Sequence, residues 1–205
     1  MALETKDTKK FISVLGSTGD FRMSVPEGTE GAVRREYESS DGKTGVKFEH
    51  VFKSVGGKIV GAEFFEGDYG KNLILTFDFE DGTENIAVSL GTNSPYGEDV
   101  MKKLPNIDMN EHVVFSPYAF EDEKGKTRKG ISITQGDEKI KNAFYDGEKN
   151  LLDYPEVEGE NLDKDDWKIY FTQCRKFLVG YVEDNILPQF TSEASGKAVD
   201  PDEEF

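Results

Sequence analysis

Between residues 21 and 145 the chain is a succession of short runs of alternating polarity, broken by Gly, Asp and Asn, and this period of two restricts its fold more than any other feature. In "GVKFEHVFKSV", Val46, Phe48, His50 and Phe52 fall on one face and Lys47, Glu49, Val51 and Lys53 on the other. "GKIVGAEFFEG" follows, and then "KNLILTFDFE", in which Leu73, Leu75, Phe77 and Phe79 share a face. The turn "EDGT" joins it to "ENIAVSL", because Asp-Gly supplies the positive φ that tight hairpins need. After a short helical candidate at 98–104 comes a second hairpin, "EHVVFSPYAFEDEKGKTRKGISITQ", turning near Lys124 and Gly125. "KIKNAFYD" is read as a last strand. About seven short strands with turn signals roughly every ten residues predict a mainly β fold, a small antiparallel barrel or sandwich.

The period then changes. Trp167, Tyr170, Phe171, Cys174, Phe177, Leu178, Tyr181, Val182 and Ile186 follow the spacing of one helix face. Asp163 caps the first turn, Asp165 and Asp166 suit its dipole, and Pro188 marks the end. This long C-terminal amphipathic helix needs a partner surface, either the barrel wall or a second subunit, so a homo-oligomer is left open. Past Phe190, "TSEASGKAVDPDEEF" holds five acids and one base, which by composition is a disordered acidic tail. The expected organisation is an N-terminal arm at 1–20, a β-barrel domain at 21–150, an acidic connector and helix at 151–190, and the tail at 191–205.

The net charge of −16 argues against a protein that coats nucleic acid indiscriminately over its whole surface. The acid is unevenly spread, however. Residues 151–205 carry 14 acids against 5 bases, whereas residues 1–60 carry 9 against 10, so a basic face remains open to the barrel. Cys174 is the single cysteine, which excludes an intrachain disulfide framework and suits a reducing, cytoplasmic setting. The N-terminal "MALETKDTKK" lacks the apolar stretch of a secretory signal, and no stretch has the composition of a membrane span.

Enzymatic chemistry finds little to work with. "FISVLGSTGDF" resembles the start of a dinucleotide fingerprint, but Arg22 stands at the third glycine position and Pro26 falls inside the helix that would receive phosphate. A turn before a strand explains it. His50 and His112 lie within alternating runs, and Cys174 belongs to the apolar helix face, where packing accounts for it. No Walker loop, His-Glu-x-x-His or EF-hand spacing is present, and the expectation is a non-enzyme without cofactor, with a metal-dependent nuclease as the enzyme alternative.

More informative are aromatic and basic residues on adjoining strands. Arg34, Arg35 and Tyr37 lie in "GAVRREYE", Lys47 and Lys53 project from the polar face of their strand, and "PYAF" holds Tyr118 and Phe120. The hairpin tip "EKGKTRKG" adds Lys124, Lys126, Arg128 and Lys129. Single-stranded nucleic acid needs this combination: cations for phosphates, and flat rings on which bases stack at about 1–3 kcal/mol each. Arg34, Arg35, Lys47, Lys53, Lys126, Arg128 and Lys129 are the expected phosphate contacts, and Tyr37, Tyr118 and Phe120 the stacking rings.

The acidic tail closing on Phe resembles that of the replicative single-stranded DNA-binding proteins of bacteria and, more closely in layout, of tailed bacteriophages. The strand-rich domain, the late hairpin "YAFEDEKGKTRKGISI", the C-terminal helix and "DPDEEF" carry the resemblance. Bacterial members usually end Ile-Pro-Phe, whereas here Glu203 and Glu204 precede Phe205. The resemblance implies an OB-like barrel, sequence-independent binding of single-stranded DNA in replication and recombination, and a location in the cytoplasm, the host's if phage-encoded. It also implies that Asp200, Asp202, Glu203, Glu204 and Phe205 recruit a polymerase, helicase or primase. The alternatives are an acidic protein-interaction or DNA-mimic module, in which the charge is itself the binding surface, and a phage structural protein.

Overall fold

Alternation does become strand, and it begins earlier in the chain than the pattern suggests. The computed structural model describes residues 10–38, 42–67, 70–78, 85–157, 159 and 162–190. Ten strands run through them: β1 Lys10–Leu15, β2 Asp20–Val25, β3 Val33–Glu38, β4 Thr44–Phe52, β5 Val55–Gly67, β6 Gly70–Asp78, β7 Ile86–Gly91, β8 Val113–Glu121, β9 Thr127–Gln135 and β10 Glu138–Lys139. Two α-helices, α1 Pro95–Lys103 and α2 Lys164–Asn185, and a 3-10 turn at Leu104–Asn106 complete the described elements. The strands form one sheet in the order β10-β9-β8-β5-β6-β7-β1-β2-β4-β3. It is an open sheet with β10 and β3 at its ends.

Several expectations are corrected here. Residues 10–15 are not part of a separate arm: β1 pairs antiparallel with β2 and parallel with β7, in the middle of the sheet. The last strand is only Glu138–Lys139, because "KIKNAFYD" turns inward to bury Ala143 and Phe144. The first helix starts at Pro95, capped by Ser94, whose hydroxyl accepts from the Gly97 amide and donates to the Gly91 carbonyl. Gly16 to Gly19 form the β1–β2 turn, as the failed fingerprint implies. The "EDGT" turn and Phe79 lie outside the described residues, as does the tail.

Strand β5 shapes the sheet. Its first residues, Val55–Gly57, pair with β8, and from Lys58 onward it pairs with β6, with an irregularity between Ile59 and Gly61. At the corner a Cβ on Gly57 would stand 2.5 Å from the Asp78 carbonyl oxygen, so no larger residue lets β6 close against the bend. The curl brings the β1–β2 turn against β8. Gly19, at φ +68°, sits where a Cβ would meet the Ala119 nitrogen and Tyr118 carbonyl carbon at 2.5 Å.

One face of this curved sheet is the core. Ile12, Phe21, Leu73, Leu75, Phe77, Val88 and Leu90 are buried on it, with Phe77 set edge-on to Phe115 of β8 at 5.2 Å. Val100 and Met101 of α1 and Leu104 of the 3-10 turn that follows fill one end. The same helix covers an edge: the Ile131 amide of β9 donates to Asp99 Oδ2 at 2.7 Å, and Lys103 Nζ donates to the Ile131 carbonyl at 2.6 Å. Two side chains thus satisfy backbone groups that a neighbouring strand would otherwise take.

Helix α2 opens on a reciprocal cap, in which Asp163 accepts from the Asp165 and Asp166 amides and Asp166 accepts from the Asp163 amide. Cys174, Leu178, Val182 and Ile186 are buried against the body, and Phe177 and Tyr181 join a ring cluster with Phe144 and Tyr154. The helix therefore packs in cis, but only over its second half. Trp167 and Phe171, expected on the packed face, are exposed. Among the described residues, no helix is long and apolar enough to cross a membrane.

Candidate nucleic-acid interface

Cross-strand partners share a face, so the register identifies what lies opposite the core. Phe65 pairs with Asn72 and Asn72 with Gly91; Glu63 pairs with Ile74, then Ser89, Ser13, Arg22 and Val51 in turn. Ser24 pairs with Glu49, Lys47 with Arg35, and Gly45 with Tyr37. One continuous outer face therefore crosses seven strands, from β5 to β3. Six interstrand spacings of about 4.8 Å make it roughly 29 Å wide.

On the β2–β4–β3 part of this face the charges form a chain. Lys53 Nζ lies 2.7 Å from Asp20, Arg22 lies 3.8 Å from Asp20 and 3.3 Å from Glu49, and Arg35 grips both Glu49 oxygens at 2.7 Å. Glu49 is only 4% exposed although it sits on the polar side of β4. The hydrogen bonds from Arg35, helped by the charges of Arg35 and Arg22, outweigh burial and hold its carboxyl below the usual range. The bond from Lys53 does the same for Asp20. Three cations here answer two carboxylates. Tyr37 lies over Gly45, where a Cβ would meet its ring at 2.7 Å, and Lys47 Nζ stands 5.0 Å from the ring centroid.

The β8–β9 hairpin supplies the second group. Asp122 accepts from the Lys124 and Lys126 amides and from Arg128 Nε at 2.8 Å, which fixes the tip and lowers its own pKa, the Lys126 amide contributing most. Phe120 pairs across the strands with Arg128 and is 54% exposed, with the Tyr118 ring 5.7 Å away. Tyr118 itself is packed across Gly130, its hydroxyl close to where a Cβ on that glycine would stand, and burial raises its pKa. Lys129 pairs with Ala119, on the opposite face of the hairpin from Phe120. It lines a cleft of about 300 Å³ whose far wall is Ser13, Asn72, Ser89 and Gly91, at the mouth between β7 and β9.

The candidate residues thus divide. Arg35, Tyr37, Lys47 and Lys53 share the outer face; Tyr118, Phe120 and Arg128 share the outside of the hairpin, with Lys126 at its turn. Arg34 does not join them. It pairs with Phe48 on the other face of β3–β4 and bonds Glu36 at 2.8 Å. Arg35, Lys53 and Arg128 are each already held by a carboxylate.

Three residues of the outer face escape a sequence reading: Arg22, at the centre of the ion-pair chain, and Phe11 and Phe65, 53% and 58% exposed. A signal existed for the rings. In "AEFFEG" two adjacent phenylalanines on one strand must face opposite sides, so one of them lies outside, and Phe11 is out of phase with Ile12 and Val14. Asp200, Asp202, Glu203, Glu204 and Phe205 lie outside the described residues. No family model matches the chain, and neither a curated protein nor a solved structure does.

Proposed function

We propose that this chain binds single-stranded DNA without sequence preference, as a replication and recombination protein whose acidic C-terminal segment regulates access and recruits partners. The observation that carries the reading is the outer face, where the exposed rings of Phe65 on β5 and Phe11 on β1 lie on the same side of the sheet as the cations of the β2–β4–β3 end. Phe65 and Phe11 offer stacking surfaces at its β5 and β1 positions, and Arg22, Arg35, Lys47 and Lys53 supply phosphate contacts toward β3. A phosphate would compete with Glu49 and Asp20 for these groups, and a base stacked on Tyr37 would displace Lys47.

Connectivity supports the same reading. Taken as β9-β8-β5-β6-β7, with α1 linking β7 to β8, five strands have the order expected of an OB barrel. In that fold the second and third strands and the loop of the last hairpin form the oligonucleotide face. Here these are β6, β7 and the Lys124–Lys126–Arg128 tip, with Lys129 reaching into the cleft between them. Tyr118, whose ring covers Gly130, serves mainly to seat Phe120.

Residues 191–205 lie outside the described residues, and by composition they are strongly acidic. Their five acids would compete with DNA for the basic groups, and once displaced would present Phe205 to an apolar pocket on a polymerase, helicase or primase. Anisotropy of labelled oligo(dT), titrated at low and moderate salt with the full chain and with a version truncated after Ser192, tests this. Salt-sensitive binding that tightens on truncation is expected. No binding by either protein at low salt would overturn the proposal.

A further inference from the structure

The first half of α2 is left uncovered by its own domain. Residues 163–169 and 171–173 are exposed, and they include Trp167, Ile169 and Phe171 at 40%, 58% and 45% exposure. The Trp167 and Phe171 rings stack at 5.7 Å and 28°, with Tyr170 edge-on to Trp167. Val157, from the connector, adds a further exposed apolar side chain. Between connector and helix runs a groove of about 310 Å³, walled by Pro155, Val157, Leu162, Ile169 and Tyr170 and edged by Glu156 and Asp166. An exposed aromatic ledge beside a groove that has both apolar walls and acidic edges suits an amphipathic partner segment.

Charge decides among the occupants. Residues 151–173 carry seven acids against two bases, Lys164 and Lys168. A second copy docked symmetrically would set this acid against itself, and the segment 191–205 brings five more acids with one base. DNA is excluded on the same ground. We propose that the first half of α2 and the connector before it form a docking surface for a basic amphipathic helix of a partner protein, its apolar side chains in the groove and its cations against the acidic rim. This surface is separate from the outer sheet face and does not depend on DNA binding.

Trp167 is the chain's only tryptophan and lies within the ledge, so its emission reports directly on occupancy. The probe is a fluorescein-labelled amphipathic peptide, LKKLLKLLKKLLKL, added to the full chain, with a counterpart in which Ser replaces every Leu. Peptide anisotropy should show saturable binding, and the unlabelled peptide should shift Trp167 emission to the blue. Ile169→Ser with Phe171→Ser, which alters exposed side chains only, should weaken binding about tenfold or more. Glu156→Gln with Asp165→Asn, which leaves every apolar contact in place, should weaken it at low salt. Equal binding of the Ser peptide, or no loss in the Ile169/Phe171 variant, would mean that net charge alone attracts the probe and would overturn the proposal. So would a sedimentation result in which the unliganded chain is a dimer that the same variant dissociates.

Discussion

Replacing Glu49 by Gln separates the two roles assigned to the ion-pair chain. The substitution keeps the shape of the side chain but removes the charge that Arg35 grips with two hydrogen bonds and Arg22 with one. It also turns an amide donor toward guanidinium donors. Breaking a fully buried pair costs about 3–5 kcal/mol. Here Glu49 is 5% exposed at its side chain, but Arg22 and Arg35, at 13% and 26%, can turn toward water. The expected loss is therefore about 2–3 kcal/mol, or a melting point lower by roughly 4–12 °C in a chain of this length. The loss depends on pH. Because the folded state holds Glu49 below its ordinary value of about 4.3, its contribution is complete above that value and disappears as pH falls through the folded one. Urea melts of the two proteins should differ at pH 7 and converge in acid. DNA binding should move the other way: with Arg22 and Arg35 released, affinity for oligo(dT) rises and the salt dependence steepens by about 0.7 per phosphate gained. Unchanged stability at pH 7 would refute the energetic argument. Destabilisation with an unaltered salt slope would remove this face from the DNA path.

Gly19→Ala should cost about 2–4 kcal/mol, since it forces a Cβ into the β8 backbone at a left-handed φ, while Gly16→Ala in the same turn, with open space around it, should stay within about 0.5 kcal/mol; thermal melts compare them. Phe65→Ala should leave the melting point nearly unchanged and weaken oligo(dT) binding by about 1–3 kcal/mol, whereas Phe64→Ala, on the core side of β5, should lower the melting point instead. Equal effects on stability from the two neighbours would contradict the register.

The two faces of β4 were legible in the sequence because alternation reports which side a residue takes. It does not report what lies across the strand gap. Glu49 reads as a solvated acid until the β2–β4–β3 register places Arg22 and Arg35 beside it. The same limit explains β1: "KFISVL" carries a strand pattern, but its partner β7 is more than seventy residues away, and parallel pairing leaves no hairpin signal. For α2, a helical period marks the apolar stripe but not the extent of the surface that meets it. The body ends near Cys174, so the stripe continues into solvent over Trp167 and Phe171.

The parallel seam between β1 and β7 also orders events in time. Ile12, Phe21, Met23 and Phe52, the apolar side of the N-terminal strands, have nothing to pack on until β6 and β7 exist, and these come later in the chain. During synthesis the first strands must therefore wait for the middle of the chain to emerge, and their docking closes a long loop, a slow step. In the sheet order the same seam separates the β2–β4–β3 basic patch from the strand pair that carries the hairpin, so the two groups of candidate contacts come together only once it has closed.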